Sequence, residues 1–253
     1  MPLDGRRWMK SKWLKLLGEF LLSSLFPPRC VICDSILDPE DKVGIHTKCI
    51  NQLISVGTSV CFHCGRPIKG TFEYCYDCSK KEWKMGFSQG KALFVYDGAI
   101  RKSMYRLKYN NRREYAKYFA REAVRYYASW IRQNNIEAIV PVPMYGRKQR
   151  VRGYNQAETF AKALSDILQI PCDSQIVERI KDTTPQKELS DIARKNNLKT
   201  AFHSRQNIVK YNYILLVDDI YTTGSTADAV AAVLKASGVK EVFFLAVCIG
   251  KGI

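Results

Sequence analysis

Two adjacent carboxylates stand beside a run of small hydroxyl residues late in the chain. Asp218 and Asp219 follow the apolar run YNYILLV, and the hydroxyl residues after them lead into the helical pattern ADAVAAVLKAS. Backbone N–H groups and the positive end of that helix dipole converge on the loop, which favours an anion. The carboxylates would repel a phosphate but accept hydrogen bonds from sugar hydroxyls, so we predict a ribose on the acidic pair with its 5-phosphate in the loop. The loop residues are Thr222, Thr223, Gly224, Ser225 and Thr226.

The same residues also have a plainer interpretation. Paired Asp at a strand end and Thr, Gly and Ser at a helix start occur as ordinary turn and N-cap chemistry. The order of apolar strand, acidic pair and hydroxyl loop favours the ligand site. The pattern G-x-x-x-x-G-K-[ST] does not occur in the sequence, which excludes a P-loop motor.

Eight potential metal ligands form four knuckles, CVIC, HTKC, CFHC and CYDC, each with two ligand residues separated by two others. Structural zinc requires four soft ligands in a closed tetrahedral set, and a catalytic site would keep one position open. The spacing supplies two closed sets within 49 residues, so we predict two structural zinc ions. The ligands are Cys30, Cys33, His46, Cys49, Cys61, Cys64, Cys75 and Cys78.

Sequential pairing of the knuckles is the simplest assignment, with residues 30–49 holding one ion and residues 61–78 the other, but crossed pairing stays open. His46 is the weakest ligand, because a lone His is also found simply exposed; its place in an H-x-x-C knuckle favours ligation. His63, inside a knuckle, is interpreted as a bystander. Seven of the nine cysteines lie in this region, which indicates metal binding in a reducing compartment rather than disulfides.

The 253-residue chain is strongly basic, with 40 Lys and Arg against 24 Asp and Glu and a formal charge of +16. Such a surplus favours nucleic acid, phosphorylated metabolites or anionic membranes as partners. No apolar run is long enough to span a bilayer, so we expect a cytoplasmic protein with at most peripheral contact with the inner face of the membrane. Residues 1–28 predict an amphipathic helix that packs on its own protein; docking on a membrane or partner is the alternative.

Strands alternate with helices after the cysteine region. We predict strands at GKALFVYDG, IEAIVPVP, SQIVERI, YNYILLV and EVFFLAV, and helices at NQAETFAKALSDILQ, near Leu189 to Asn197 and from Thr226 to Ser237. This alternation predicts an α/β fold, a mostly parallel sheet flanked by helices, with a small zinc domain at residues 29–80 and the sheet domain at residues 81–253. Ligands of such sheets lie at the carboxyl ends of strands, where the acidic pair falls.

Residues 99–134 have the pattern of a strongly basic helical segment. Within residues 101–132, ten Lys or Arg stand against two Glu, interleaved with eight aromatic residues. Basic side chains follow phosphates and aromatic rings stack on unpaired bases, so single-stranded DNA is a predicted partner. The alternative is that these aromatic residues form core and the charges a solvated face. The aromatic residues are Tyr105, Tyr109, Tyr115, Tyr118, Phe119, Tyr126, Tyr127 and Trp130.

VDDIYTTGST resembles the phosphoribosyl pyrophosphate (PRPP) binding motif of type I phosphoribosyltransferases. With FPPRCVIC, RVRGYNQAE and PQKELSDIARKNNLKTAF, the chain resembles the ComF family of competence proteins from about Leu25 to Val247. The resemblance implies a type I phosphoribosyltransferase fold behind a double zinc ribbon, and Mg2+ bound with PRPP. It also implies a cytosolic role in the uptake of transforming single-stranded DNA, beside a ComFA-like helicase.

The resemblance assigns roles to matching positions. Asp218 and Asp219 would hold the ribose hydroxyls as catalytic residues, and residues 222–226 would bind the 5-phosphate. The segment after VPVP would meet pyrophosphate, where cations stabilise the departing charge; a solvated basic loop is the alternative. Its residues are Tyr145, Gly146, Arg147, Lys148, Arg150 and Arg152. TTPQKELSDIARKNN resembles a mobile loop, with Gln186, Arg194 and Asn197 as its candidates.

The function we favour is a competence protein that handles transforming DNA and carries a PRPP-binding site. The alternative is an active phosphoribosyltransferase with an unknown acceptor, and a scaffold is a third interpretation. The resemblance implies that an active enzyme would recognise its acceptor base with a separate segment, the hood. Only Cys248 to Ile253 follow the last predicted strand, so we expect any hood to come from the N-terminal half. An enzyme should release pyrophosphate with some acceptor, a DNA-handling protein should bind oligonucleotides with a steep salt dependence, and a scaffold should only co-purify with its partner.

Overall fold

The computed structural model describes residues 27–38, 40–41, 43–80, 86–182, 200–205 and 209–251. Its chain divides after Ile50 into two compact units, so that each unit carries one cysteine set. The predicted N-terminal helix lies outside the described residues except at Pro27 and Pro28, and the helix predicted near Leu189 lies outside them entirely. In the part of the chain that is described, no helix is long and apolar enough to cross a membrane.

Both cysteine sets are built on the same short turn. In the first unit the Cys30 N–H donates to the Ser35 carbonyl oxygen at 2.9 Å, and in the second the Cys61 N–H donates to the Arg66 carbonyl oxygen at 2.7 Å. These bonds close the turn that follows the first cysteine of each set. The helices that carry the last cysteines are α1, Thr47–Ile50, and α2, Tyr76–Ser79.

The second unit alternates strands and helices, as the sequence predicts. Its strands are β1 Gln89–Val95, β2 Ala138–Pro141, β3 Val177–Arg179, β4 Phe202–Ser204, β5 Tyr213–Tyr221 and β6 Glu241–Ile249. Its longer helices are α3 Gly98–Tyr109, α4 Tyr115–Gln133, α5 Gly146–Arg152, α6 Gln156–Leu168 and α7 Ser225–Ala236. Four strands form a parallel sheet in the order β1-β6-β5-β2, and β3 pairs with β4 in an antiparallel ribbon.

Helices cover the sheet, which explains why its central strands are almost continuously apolar. Every residue of β6 after Glu241 is buried, and so is the stretch of β5 from Ile214 to Val217. Phe160 of α6 and Leu234 of α7 are buried in the core. The predicted fold class, a mostly parallel sheet flanked by helices, is confirmed.

The basic segment forms two helices rather than one. α3 ends at Tyr109, and Asn111 adopts a positive φ of 55° before α4 begins. Asparagine tolerates that left-handed conformation and so permits the break. On α4, Tyr115, Tyr118 and Phe119 are at most 4% exposed, so for these three rings the core interpretation is correct. The exposed rings of the segment are Tyr105, Tyr109 and Tyr126.

The acidic pair lies within a strand rather than after it. β5 continues to Tyr221 because β6 extends beside it, pairing Ile220 with Cys248 and Tyr221 with Ile249. Local sequence does not show this, since Asp is uncommon in strands.

Two further segments near the pair differ from the prediction. The basic turn after β2 continues as the helix α5. The strand β3 has an antiparallel partner, β4, that the sequence did not predict, and we call this pair of strands the β3–β4 hairpin.

Candidate functional site

The hydroxyl loop connects the carboxyl end of β5 to α7. Gly224 is the N-cap of α7 with a φ of 81°, and a Cβ there would lie 2.8 Å from Tyr221 Cζ and overlap the Tyr221 hydroxyl oxygen. The position therefore requires glycine. Because glycine has no capping side chain, the N–H groups of the first turn of α7 remain available to an anion. The Thr223 and Ser225 hydroxyl oxygens, 3.0 Å apart, add donors beside them.

The two carboxylates occupy consecutive positions of β5, so their side chains leave the strand on opposite faces. Asp219 is buried, and its Oδ2 lies 2.8 Å from Nζ of Lys108 on α3. Asp218 is half-buried, and its Oδ1 accepts a hydrogen bond of 2.8 Å from the Asp219 N–H. Arg179 on β3 lies near enough to Asp218 to interact with it electrostatically. Each carboxylate thus has a nearby cation.

Burial and mutual charge set the ionisation of these groups. Burial raises the pKa of Asp218 well above its usual value, and the Asp219 charge raises it further. Burial lowers the pKa of Lys108, but the two carboxylates outweigh it and the net shift is upward, so the amine is protonated at neutral pH. Burial lowers the pKa of Arg179, against the opposing effect of Asp182 and Asp218.

The segment after β2 begins beside the carboxylates. The Val142 N–H donates to the Val217 carbonyl oxygen at 2.9 Å, because β2 pairs with β5 in parallel. Asn155 then fixes the segment: its Nδ2 donates to the Val142 carbonyl oxygen at 2.9 Å, and its Oδ1 caps α6 at the Ala157 N–H. The Y-N part of R-G-Y-N-Q is therefore structural here, since the Tyr154 hydroxyl also donates to a backbone carbonyl, that of Leu107.

The predicted pyrophosphate residues differ in their contacts. Lys148 Nζ lies 2.6 Å from Oδ1 of Asp182, at the start of the connection between β3 and β4. Arg152 donates to the Tyr109 hydroxyl at 3.1 Å and to Gln156 Oε1 at 3.2 Å. The remaining residues line the turn and the exposed face of α5: Tyr145, Gly146, Arg147 and Arg150. The mobile-loop candidates Gln186, Arg194 and Asn197 lie outside the described residues.

A pocket of about 320 Å³ lies between the segment after β2 and the β3–β4 hairpin. Arg179, which interacts electrostatically with Asp218, is one of the residues that line it. Its lining includes Met144, Gly146, Gln149, Glu178, Arg179 and Arg205.

The eight predicted metal ligands form two clusters, in the sequential combination. In each cluster the four ligand atoms lie within 4.8 Å of one another. His46 Nδ1 lies 3.3 Å from Cys33 Sγ in the first, and Cys64 Sγ lies 3.7 Å from Cys75 Sγ in the second. Three thiols with one imidazole, and four thiols, are donor sets that fit tetrahedral zinc, so the clusters are consistent with two zinc ribbon sites.

His63 does not join a cluster. Its ring stacks on Phe87 with centroids 4.5 Å apart and planes 9° apart, and its Nδ1 lies 3.3 Å from the Ser88 carbonyl oxygen. It packs the second ribbon onto the sheet domain.

Three cations near the site were not predicted. Lys108 and Arg179 flank the carboxylates, and Arg66 of the second ribbon donates from Nη2 to the Thr222 carbonyl oxygen at 2.6 Å. Each is one of 40 Lys and Arg residues, and no local pattern distinguishes it from the others.

Comparisons with known proteins agree with this architecture. Residues 21–79 match the family described as double zinc ribbon domain, and residues 119–252 match the phosphoribosyl transferase domain. Competence protein F of Haemophilus influenzae is 34% identical over 87% of this chain and 96% of its own length. DNA utilization protein YhgH of Escherichia coli K12 is 30% identical over 81% and 90%, and competence protein ComFC of Bacillus subtilis 168 is 23% identical over 83% and 89%. The chain therefore belongs to the ComF family, in which a double zinc ribbon precedes a phosphoribosyltransferase domain.

Proposed function

We propose that this protein assists the uptake and handling of transforming single-stranded DNA, and that its phosphoribosyltransferase-type site binds PRPP with Mg2+. The observation that carries the PRPP assignment is that one end of β5 holds both the acidic pair and the Gly224 turn, where the N-cap of α7 is a glycine that cannot supply a capping side chain. The names of its relatives, competence proteins and DNA utilization proteins, support the DNA role.

In this proposal each part of PRPP has its own partner. The 5-phosphate accepts hydrogen bonds from the loop N–H groups and hydroxyls, as at other helix N-termini. The ribose hydroxyls donate to Asp218 and Asp219. Arg147 and Arg150 face the pyrophosphate, and Mg2+ would supply further charge neutralisation there. Lys108 balances the Asp219 charge, so that two adjacent carboxylates can be held beside an anionic ligand.

The surface that we propose for DNA is smaller than the whole basic segment of residues 99–134. The exposed rings of Tyr105 and Tyr109 have centroids 4.9 Å apart, and the Arg152 guanidinium lies 4.9 Å from the Tyr109 ring. We call Tyr105, Tyr109 and Arg152 the tyrosine surface. Rings that stack on bases and a cation that pairs with phosphate are what a single strand needs. Lys108 shares α3 with both rings, so this helix joins the surface to the acidic pair.

Two measurements test the proposal. Calorimetric titration of the zinc-loaded protein with PRPP and Mg2+ should show binding that Asp218→Asn/Asp219→Asn abolishes. Titration with single-stranded oligonucleotides should show an affinity that falls steeply with salt. No PRPP binding by the native protein would refute the site, and no oligonucleotide binding would refute direct DNA handling.

The pocket beside the β3–β4 hairpin favours a second candidate function, an active phosphoribosyltransferase. Its volume of about 320 Å³ suits a small acceptor. In such a reaction the bond between the anomeric carbon and pyrophosphate breaks and pyrophosphate leaves. An acceptor nucleophile forms the new bond to the anomeric carbon. Release of pyrophosphate that requires an added acceptor, screened among nucleobases and oligonucleotides, would support turnover; a negative screen would leave binding without transfer.

A ComFA-like helicase as partner and a cytoplasmic location, with at most peripheral membrane contact, belong to the same proposal. Co-purification of the two proteins from cell extract would support the partnership, and its loss on deletion of residues 27–80 would assign it to the ribbons. Fractionation of the cell would locate the protein.

A further inference from the structure

Arg66 connects the second zinc ribbon directly to the hydroxyl loop. Its Nη2 donates to the Thr222 carbonyl oxygen at 2.6 Å, and its Nη1 pairs with Asp77 Oδ2. The residue is only 4% exposed. Thr222 is the first residue of the loop, so the guanidinium holds the backbone at the point where the loop leaves β5.

Arg66 and its ionic partner Asp77 both belong to the second metal-binding set. Arg66 follows Cys64 by two residues, and Asp77 lies between Cys75 and Cys78. The knuckles can keep Arg66 in place only while their four sulfurs are held together, as a bound zinc ion would hold them. The position of the loop backbone is thereby coupled to the second cluster.

Aromatic packing makes a second connection between the same two parts. His63 stacks on Phe87, and Phe87 meets the Tyr221 ring edge to face at 6.1 Å. Tyr221 in turn fills the space beside Gly224 in the loop. Close backbone contact adds to this, because the Gly90 N–H of β1 donates to the His63 carbonyl oxygen at 2.6 Å. The second zinc ribbon is therefore connected to the hydroxyl loop by both polar and apolar contacts.

The ribbon turn itself does not require an arginine. The first set closes the same turn with Ser35 at the equivalent position. Moreover, the Arg66 Nε has no hydrogen-bond partner among the described residues, which is costly for a buried guanidinium. Of its two hydrogen-bonded partners, Asp77 lies in the ribbon but Thr222 lies in the hydroxyl loop, so the contacts of Arg66 extend beyond the ribbon.

We propose that Arg66 is a positioning residue for the hydroxyl loop, and that the second zinc ribbon uses it to set the affinity of the site for the 5-phosphate of its ligand. The proposal rests on the function proposed above for the loop. The ribbon is then part of the ligand site, through a contact that a purely folding role would not need.

Arg66→Met tests this proposal. We expect the variant to keep its zinc but to bind PRPP with Mg2+ roughly tenfold more weakly, because a charged hydrogen bond that orders the loop is lost. Hydrogen exchange of the loop amides, residues 222–226, should be faster in the ligand-free variant. Arg66→Lys, which can restore a single charged contact, should recover part of the affinity. Arg125→Met is the matched control, because Arg125 is an exposed, ion-paired arginine on α4.

The two readouts separate this proposal from the function on which it rests. If the native protein does not bind PRPP, the ligand assignment fails, whereas faster loop exchange in Arg66→Met would still establish positioning. Unchanged affinity together with unchanged loop exchange would overturn the proposal. If Arg66→Met does not fold, Asp77→Asn, which removes the ionic anchor at a partly exposed position, should show the same changes to a smaller extent.

Discussion

Lys108 Nζ lies 2.8 Å from Asp219 Oδ2, an ion pair between α3 and β5 with about one fifth of the lysine side chain exposed. The same helix presents Tyr105 and Tyr109 to solvent. A ligand that alters the acidic pair therefore acts on the helix that carries the tyrosine surface. Helix α3 thus contacts the proposed PRPP site through Lys108 and carries two residues of the proposed DNA surface, Tyr105 and Tyr109.

Replacing Lys108 by Met should destabilise the protein by about 3 kcal/mol, because removing one partner of a largely buried pair leaves an uncompensated charge. Chemical denaturation at neutral pH measures this loss. Lys162→Met provides the control: Lys162 is also ion-paired, to Glu158, but its side chain is 63% exposed, so its loss should cost under about 1 kcal/mol. Equal stability of the two variants would show that the Lys108 pair is not effectively buried.

Asp218→Asn should stabilise the protein at neutral pH while weakening PRPP binding. The folded protein raises the pKa of Asp218, so between the unfolded and folded pKa values the native state binds more protons and its stability falls as pH rises. The Asn variant lacks this fall. The free energy of unfolding, measured against pH for both proteins, should agree at acidic pH and diverge above it, with the variant more stable. A constant difference across the pH range would contradict the prediction.

Gly224→Ala should destabilise the protein by about 1–3 kcal/mol and abolish PRPP binding, because alanine is strained at positive φ and its Cβ would overlap Tyr221. Gly57→Ala is the matched control. Gly57 has nearly the same φ, 74°, but a Cβ there would meet nothing within 4 Å. Thermal unfolding measures the stability of both variants, and calorimetry measures their PRPP binding. Both variants carry the backbone strain, so a larger loss of stability in Gly224→Ala reports the overlap with Tyr221. Equal losses of stability would mean that the protein relieves this overlap.

Tyr105→Ala combined with Tyr109→Ala should weaken binding of a single-stranded oligonucleotide at least about tenfold, since each stacked base contributes roughly 1–3 kcal/mol. Tyr126→Ala removes an exposed ring from α4 and should have little effect. Arg152→Gln should instead lower the slope of log affinity against log salt by about 1, as loss of one phosphate contact does. Fluorescence anisotropy across a salt series measures all three, and similar losses in the Tyr126 variant would argue against a localised surface.

The purified protein should contain about two zinc ions per chain, because each cluster closes a four-ligand tetrahedral set. Cys64→Ser should reduce the content to about one ion and, through Arg66, also weaken PRPP binding. Metal analysis by mass spectrometry checks the count. Less than about one ion per native chain would refute the structural zinc assignment.

Much of the architecture could be predicted because its signals are local. Cysteine pairs separated by two residues predict the metal clusters, since a single turn brings each pair together. Apolar strands alternating with amphipathic helices predict the parallel sheet, since both faces of such strands are covered. The order of β5, acidic pair and hydroxyl loop predicts an anion site at a helix N-terminus, because these residues are consecutive in the chain.

The contacts that complete the candidate site join residues far apart in the sequence. Arg66 and Thr222 are separated by 156 positions. Lys108 meets Asp219 only because α3 packs beside the end of β5, and β4 is a strand only because β3 pairs with it. Periodicity and spacing predict which face of an element is apolar. They do not predict which of the 40 Lys and Arg residues lies beside a given carboxylate. The ligand residues and the local turns follow from the sequence alone. The tertiary structure alone determines that Lys108, Arg179 and Arg66 lie at the site, because residues far apart in the chain become neighbours only when distant elements pack together.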